Sequence, residues 1–212
     1  TRNFTYDEWT SYFGETPYDR VCNTLPPHPS LIEAAREKAK SGEITEAISI
    51  LKLAKRLGDT LKADPEKYII PFAVKGYVKR SIQLLYNNKA NEAIDLFTKA
   101  KKLDPILNGV TAFQLNEFAW HAAIRNRVNN VVMDAANRAV NLQPDDAGYR
   151  DTRGLIRALT GNYAGAIEDF ENFVEWGREI KPRSPGSVSP PRPNRDDDVI
   201  EKRENWIKEL KA

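Results

Sequence analysis

Apolar residues recur along this chain at the three- and four-residue intervals that place them on one face of an α-helix. The clearest stripe runs from Ala166 through Phe170 to Phe173. Stripes of the same form start at Ala47 and at Ala93. Each stripe begins with a small residue, which allows two helices to cross closely. The pattern predicts an all-α chain made of helical hairpins.

The stripes repeat with an uneven period, and the last interval is the shortest. Val132 and Ala166 occupy equivalent positions that are 34 residues apart. Ala93 lies 39 residues before Val132, and Ala47 lies 46 residues before Ala93. We therefore expect longer helices or loops in the earlier hairpins, with residues 59–67 as one insertion.

Two dipeptides, Asp104-Pro105 and Gln143-Pro144, are predicted to end helices, because the residue before a proline is driven out of the helical region. The small residue, the apolar stripe and the closing proline together resemble the tetratricopeptide repeat (TPR) family, over roughly residues 28–178. The resemblance implies a right-handed α-solenoid of about four TPR-like hairpins. We assign these hairpins to residues 31–178.

The resemblance is uneven at the tight helix crossing, where the family has glycine. Gly154 agrees with the family pattern. The corresponding positions of the earlier hairpins hold Ala35, Ser81 and Trp120. Trp120 departs most from a glycine, so we expect the helix crossing there to have a different geometry.

Residues 1–30 do not follow the repeat pattern and are rich in aromatic residues. We predict that they form an N-terminal segment that caps the first hairpin. Thr5 and Glu8 have the spacing of a capping box, in which a hydroxyl and a carboxylate satisfy backbone N–H groups at the start of a helix. A short helix is therefore expected directly after Thr5.

The same segment contains Arg2-Asn3-Phe4-Thr5, Glu8-Trp9, Tyr12, Gly14, Pro17-Tyr18, Cys22 and Leu25-Pro26. These residues resemble the segment that follows the last propeller blade in bacterial WD-repeat proteins, some of which carry a STAND-type signalling ATPase upstream. The resemblance implies that the chain is the C-terminal part of a larger multidomain bacterial protein. A sequence that begins at Thr1 rather than at methionine favours the same expectation.

The C-terminal flank divides into a predicted linker and a predicted helix. Residues 179–197 are rich in proline, serine and arginine, which is typical of an extended linker. A final helix is predicted over residues 198–212, and Lys208 and Lys211 suit its C-terminal end. We expect this helix to cap the last hairpin, and docking onto a partner or a second copy of the chain is the alternative. Its apolar stripe consists of Val199, Ile200, Trp206, Ile207 and Leu210.

Composition narrows the possible partners. The formal charge is +2, from 32 basic and 30 acidic residues. This balance lacks the excess of basic residues that favours binding to nucleic acid or to an anionic membrane. The longest apolar run, residues 69–74, is far shorter than the roughly 20 residues that span a bilayer. The single cysteine, Cys22, fits a reducing cytoplasm.

Candidate catalytic and metal-binding residues are sparse. Glu117 and His121 are four residues apart on a predicted helix and could present two ligands to a metal, but a surface pair is the simpler interpretation. Cys22 and His28 lie in a proline-rich segment without a third group to orient them. We therefore predict no enzyme activity, no cofactor and no metal.

On stacked hairpins the first helices line the concave face, where TPR proteins hold a peptide or a helix. The family register places nine positions of this chain there, and they mix apolar residues with both charge signs. They are Ile32, Arg36, Lys75, Val78, Ile82, Gln114, Glu117, His121 and Asp151. The resemblance therefore implies a groove that binds a protein or peptide.

One TPR subtype grips the C-terminal carboxylate of heat-shock chaperones with lysine, asparagine and arginine residues at fixed positions. The matching positions of this chain hold Ile32, Arg36, Lys79, Gln114 and Phe118, so the carboxylate clamp is absent. The expected function is a protein–protein interaction module of another kind. A sensor domain of a STAND-type ATPase and a self-assembly domain are the alternatives.

Overall fold

A computed structural model describes residues 2–58, 62–179 and 195–212, with side chains from residue 198 onward in the last range. The described residues are all-helical, and no β-strand occurs among them, which confirms the predicted fold class of TPR-like helical hairpins. No helix in this part of the chain combines the length and apolarity needed to cross a membrane. The helices are α1 (Tyr6–Phe13), α2 (Ser30–Ser41), α3 (Ile44–Arg56), α4 (Pro65–Tyr86), α5 (Ala90–Leu103), α6 (Ala112–Ala123), α7 (Asn130–Leu142), α8 (Ala147–Leu159), α9 (Tyr163–Glu179) and α10 (Arg195–Lys211).

The chain forms two compact units. The N-terminal unit comprises Thr1–Ser81 with Asp95–Val110, and the C-terminal unit comprises Ile82–Ile94 with Thr111–Ala212. Helices α4 and α5 contribute residues to both units. Each unit has its own buried apolar residues, and the two are described separately.

The N-terminal unit is built on the hairpin of α2 and α3. The two helices are joined through Gly42, whose φ of 93° is a left-handed conformation that glycine adopts without strain. Leu31 of α2, Leu51 of α3 and Ile69 of α4 are completely buried in one cluster. A Cβ on Gly76 of α4 would overlap the backbone of Lys40, so the two helices approach closely only because this residue is glycine.

The length of α4 accounts for the long interval between Ala47 and Ala93. This helix has 22 residues and begins at Pro65. The Asp64 carboxylate accepts hydrogen bonds from the backbone N–H groups of Glu66 and Lys67, at 3.0 and 3.1 Å. Residues 65–67, predicted to belong to an insertion, are therefore helical, and residues 59–61 lie outside the described part of the chain.

The N-terminal segment packs on the α2–α3 hairpin. The capping box predicted at Thr5 and Glu8 is confirmed at the start of α1. Trp9 and Tyr18 belong to the same buried cluster as α2 and α3. Asn3 is 2% exposed, and its amide donates to the carbonyls of Cys22, Leu25 and Pro26 while accepting from the Cys22 N–H. One asparagine thus anchors the loop that leads into α2.

The C-terminal unit contains two successive hairpins, α6–α7 and α8–α9, which pack on one another. Their buried positions coincide at an offset of 34 residues, as the sequence predicts. The coinciding pairs are Leu115 and Tyr149, Phe118 and Thr152, Ala122 and Ile156, Val132 and Ala166, Ala136 and Phe170, and Val140 and Val174. Both hairpins therefore follow one structural register.

The register explains how Trp120 is tolerated in the place of a glycine. In the α8–α9 hairpin a Cβ on Gly154 would lie 2.8 Å from the Phe170 ring, so the large residue comes from the second helix. The equivalent positions in the α6–α7 hairpin are Trp120 and Ala136. In this hairpin the large residue is on the first helix and the small residue is on the second, the reverse of the α8–α9 hairpin.

Helix α10 packs on α9 in the same chain. It begins at Arg195, three residues before the predicted helix. A Cβ on Gly177 would lie 2.5 Å from the Cδ1 of Ile200, so a glycine in α9 permits this close contact. Ile207 is 8% exposed and joins the apolar cluster of α9. Most of the predicted linker over 179–197 lies outside the described residues.

Candidate functional site

In the N-terminal unit, the predicted groove residue Arg36 makes several contacts with neighbouring side chains. Its guanidinium lies over the rings of Tyr68 and Phe72, 5.6 and 5.2 Å from their centroids. Its Nε donates to the Tyr68 hydroxyl at 2.9 Å, and Glu33 forms an ion pair with it at 2.9 Å. These contacts hold the side chain against α4, so Arg36 is a positioned cation rather than a freely moving one.

The other predicted groove positions of this unit differ in accessibility. Val78 is completely buried, so its side chain belongs to the core and is unavailable to a partner. The family register placed it in the groove because periodicity does not distinguish a groove position from a core position on a helix packed on several sides. Ile32 is half-buried against the cluster that contains Leu31, Leu51 and Ile69, and Lys75 is exposed.

In the C-terminal unit, three side chains from two helices form a compact group, here named the Tyr86 cluster: Tyr86 of α4 and Glu117 and His121 of α6. The Tyr86 hydroxyl donates to the Glu117 Oε2. His121 Nε2 lies 3.7 Å from the same oxygen. The imidazole also meets the Tyr86 ring edge-on, with centroids 4.5 Å apart and planes at 61°.

The Tyr86 cluster is partly open to solvent. Tyr86 is 55% exposed, whereas the side chains of Glu117 and His121 are 23% and 18% exposed. The carboxylate is thus partly desolvated beside an accessible aromatic ring. Tyrosine is one of the residue types that contribute most of the affinity at surfaces that bind other proteins.

The surroundings of His121 favour the neutral form of its imidazole. Burial is the main cause that lowers the pKa of His121, and the nearby Arg125 guanidinium lowers it further, while Glu117 acts in the opposite direction. Arg125 donates to the His121 carbonyl oxygen at 3.0 Å. The hydrogen bond to Glu117 raises the pKa of the Tyr86 phenol, because it stabilises the protonated hydroxyl. The Glu117 carboxylate therefore lies beside two groups whose neutral forms are favoured.

Two further predicted residues of this unit flank the Tyr86 cluster. Ile82 is half-buried one helical turn before Tyr86. Gln114 forms a capping box with Thr111: its side-chain oxygen accepts from the Thr111 N–H at 3.1 Å, and the Thr111 hydroxyl accepts from the Gln114 N–H at 3.2 Å. Gln114 thus stabilises the start of α6.

Asp151 of α8, the last predicted groove residue, is 7% exposed and is covered by α10. Its carboxylate accepts two hydrogen bonds from Arg203, from Nε at 2.5 Å and from a terminal nitrogen at 2.8 Å. The guanidinium lies 4.1 Å from the centre of the Trp206 ring and 5.7 Å from that of Phe170. Asp151 is therefore occupied within the chain, which corrects its prediction as an open groove residue.

Sequence reasoning missed Tyr86 and Arg203. Tyr86 lies four residues after the predicted groove residue Ile82, and this spacing puts both on one helix face. Arg203 interrupts the apolar stripe of α10, three residues after Ile200 and four before Ile207. A cation inside such a stripe indicates a buried acidic partner, because an unpaired buried charge is costly.

Cys22 and His28, the residues considered for catalysis, have separate hydrogen-bond partners. The Cys22 Sγ lies 3.1 Å from the Thr24 hydroxyl, whose hydrogen bond lowers the pKa of the thiol. His28 Nδ1 accepts from the Ser30 N–H at 3.2 Å. Within the described ranges, no three or more histidine, cysteine, aspartate or glutamate residues are grouped so that they could hold a metal ion.

Comparison with known families supports the repeat assignment in the C-terminal unit. Residues 119–196 match the family model described as tetratricopeptide repeat. The matched stretch contains α7, α8 and α9, where the 34-residue register is regular. It does not reach residues 2–26, so their resemblance to the segment after a WD-repeat propeller stays a prediction. The match and the hairpin register together support the TPR family for this chain.

Proposed function

We propose that this chain is a protein–protein interaction module, and that the C-terminal unit binds a peptide or helix of another protein at the Tyr86 cluster. Tetratricopeptide repeats are generally protein-binding modules. The observation that carries the proposal is the accessible Tyr86 ring, which is hydrogen-bonded to a partly buried Glu117. Ile82 adds apolar surface one turn away.

The chemistry of the cluster favours binding over catalysis. Tyr86 and Glu117 already hydrogen-bond to each other, and each would need to give up this bond to act as an acid or a base. A tyrosine supplies contact area and a hydrogen bond at a low cost in side-chain entropy, which is why tyrosine is frequent at protein interfaces.

Selection of random peptides would test the proposal. A library of 12-residue peptides displayed on phage is selected on the intact 212-residue chain. Selected peptides are then measured by fluorescence anisotropy on the wild type and on a variant with Ile82→Glu and Tyr86→Ala. We expect the double substitution to weaken binding by about a hundredfold, because two anchors are lost.

Trp176→Ala provides a matched control. Trp176 is 45% exposed on α9 and stacks only against its own helix neighbour Phe173 among the ring contacts described. Its removal deletes an exposed aromatic side chain outside the Tyr86 cluster, so peptide affinity should change less than twofold. Equal binding by the wild type and the double variant would contradict the proposed site.

A wider context follows from residues 2–26. The residues that carry the WD-repeat resemblance include Asn3, Trp9 and Tyr18, and these three are buried and hold the segment together. A second candidate, which rests on the sequence resemblance alone, is a sensor domain of a larger bacterial multidomain protein with a STAND-type ATPase, acting in the cytoplasm. The gene sequence upstream of Thr1 is the test: an upstream region without a propeller or an ATPase would contradict it.

A further inference from the structure

The last hairpin shows how this fold binds an arginine-bearing helix. Asp151 of α8 receives Arg203 of α10 through two hydrogen bonds, and both side chains are buried. Trp206, three residues after Arg203, lies against the guanidinium face at 4.1 Å. The carboxylate is therefore matched to a planar guanidinium that donates two hydrogen bonds, and an aromatic ring covers the face of the guanidinium.

The preceding hairpin carries an acidic residue at the same register position. Glu117 lies 34 residues before Asp151, the offset at which the buried positions of the two hairpins coincide. Both carboxylates project from the first helix of their hairpin, α6 or α8. The α6–α7 hairpin thus repeats the acidic half of the arrangement that binds Arg203.

The carboxylate of Glu117 has different partners from the carboxylate of Asp151. Its described partners are the Tyr86 hydroxyl and the imidazole of His121, and neither is a guanidinium or an ammonium group. Its side chain keeps 23% of its exposure, and Tyr86 offers a ring that is 55% exposed. A carboxylate and an aromatic ring are therefore both accessible to a partner segment.

We propose that Glu117 binds the arginine side chain of a partner segment, with the guanidinium paired to the carboxylate and stacked on the Tyr86 ring. The occupant is a protein segment that carries a basic residue, and the Arg203 contact with Asp151 is its counterpart within the chain. This proposal rests on the proposed function, because it specifies the chemistry of the same surface.

The geometry favours arginine over lysine. A guanidinium can donate two parallel hydrogen bonds to one carboxylate and stack through its flat face at the same time. A lysine ammonium is a strongly hydrated point charge, which gains less from the ring and loses more water on burial. Partly buried charge-assisted hydrogen bonds stabilise more than exposed ones, so the preference should be measurable in affinity.

The peptides selected on the intact chain provide the probe. Each arginine of a binding peptide is replaced in turn by lysine and by citrulline, which keeps the shape of the side chain and removes its charge. At one position we expect citrulline to weaken binding about tenfold or more and lysine to weaken it severalfold. These substitutions leave the protein itself unchanged, so folding cannot confound the result.

Variants of the protein test the other side of the contact. Glu117→Gln should weaken binding of the arginine peptide by about tenfold and leave binding of the citrulline peptide unchanged. Glu209→Gln, at an exposed position of α10, should change the binding of neither peptide. Glu117→Arg should restore binding of a peptide in which the same arginine is replaced by glutamate. Circular dichroism of each variant checks that its helix content is retained.

The outcomes separate this proposal from the proposed function. Peptides that lose affinity on Ile82→Glu with Tyr86→Ala, but tolerate both citrulline and Glu117→Gln, would overturn arginine recognition and leave the binding site intact. Peptides insensitive to all of these substitutions, or a selection that enriches no peptide, would overturn both. Equal binding of the arginine and lysine peptides would overturn the guanidinium stacking.

Discussion

The guanidinium of Arg203 and the carboxylate of Asp151 form a buried, two-bonded ion pair that ties α10 to α8. The pair lies at the centre of an apolar stripe, between Ile200 and Ile207. Removal of either side chain leaves the charge of the other one buried and unpaired. The position of α10 should therefore depend on both residues.

Arg203→Ala is expected to destabilise the docked state of α10 by about 3–5 kcal/mol, because Asp151 stays buried and unpaired. Amide hydrogen exchange in α10 measures this directly, since its protection reports the free energy of local opening. The double variant Asp151→Leu with Arg203→Met replaces the pair by apolar side chains and should recover most of the loss. Exchange in α10 as fast in this double variant as in Arg203→Ala would contradict the expectation.

Asp169 of α9 is a second buried acid in the α8–α9 hairpin. It is completely buried and accepts two hydrogen bonds from Arg153, at 2.6 and 2.9 Å, and one from Arg157, at 2.9 Å. Asp169→Asn should lower the free energy of unfolding by about 3 kcal/mol in urea denaturation, since two guanidinium groups lose their counter-charge. Glu168→Gln is the matched control, because Glu168 is 71% exposed and lies 3.9 Å from Arg157, and it should change stability by less than about 0.5 kcal/mol.

Gly154 permits the close approach of Phe170. Gly154→Ala should cost about 1–3 kcal/mol of unfolding free energy, because the new Cβ would lie 2.8 Å from the ring. The cost should be smaller in a Phe170→Leu background, where the facing side chain is shorter, and a double-mutant cycle by urea denaturation measures the difference. An equal cost in both backgrounds would show that Phe170 is not the obstacle.

His121 should titrate below its usual range in an NMR pH titration of its imidazole signals, which His121→Gln identifies by their loss. Burial is the main cause of the lowered pKa, and Glu117 opposes it, so Glu117→Gln should lower the midpoint further. The folded state favours the neutral ring. This group therefore contributes stability above about pH 6.5, and that stability is lost as the pH falls through the folded-state pKa. A titration midpoint of His121 at or above pH 6.5 would contradict the lowered pKa of its imidazole.

Much of the fold could be predicted from the sequence, since helix faces and helix ends depend on local patterns. The 34-residue register, the capping box at Thr5 and the ends of α5 and α7 before proline all follow from nearby residues. The length of α4 could not be predicted, because Pro65 suits both the end of a loop and the first turn of a helix.

The candidate site could be predicted only in part. Glu117 and His121 were placed on one helix face by their spacing, and the structure brings them together. Val78 and Asp151 were placed in the groove by the same logic, yet one is in the core and the other is paired to α10. Contacts between helices distant in sequence decide these cases, and periodicity within one helix carries no information about them.

The side chain of Asn3 closes a loop of about twenty residues by binding the backbone at Cys22 and Pro26. This sets a boundary for any shortened form of the protein. A version that starts after Asn3 would retain α1 and every helix that follows, but it would lose the only side chain described as bridging residues 22–26 from the start of the segment. Trimming three residues would then loosen the entry to α2 more than their small size suggests.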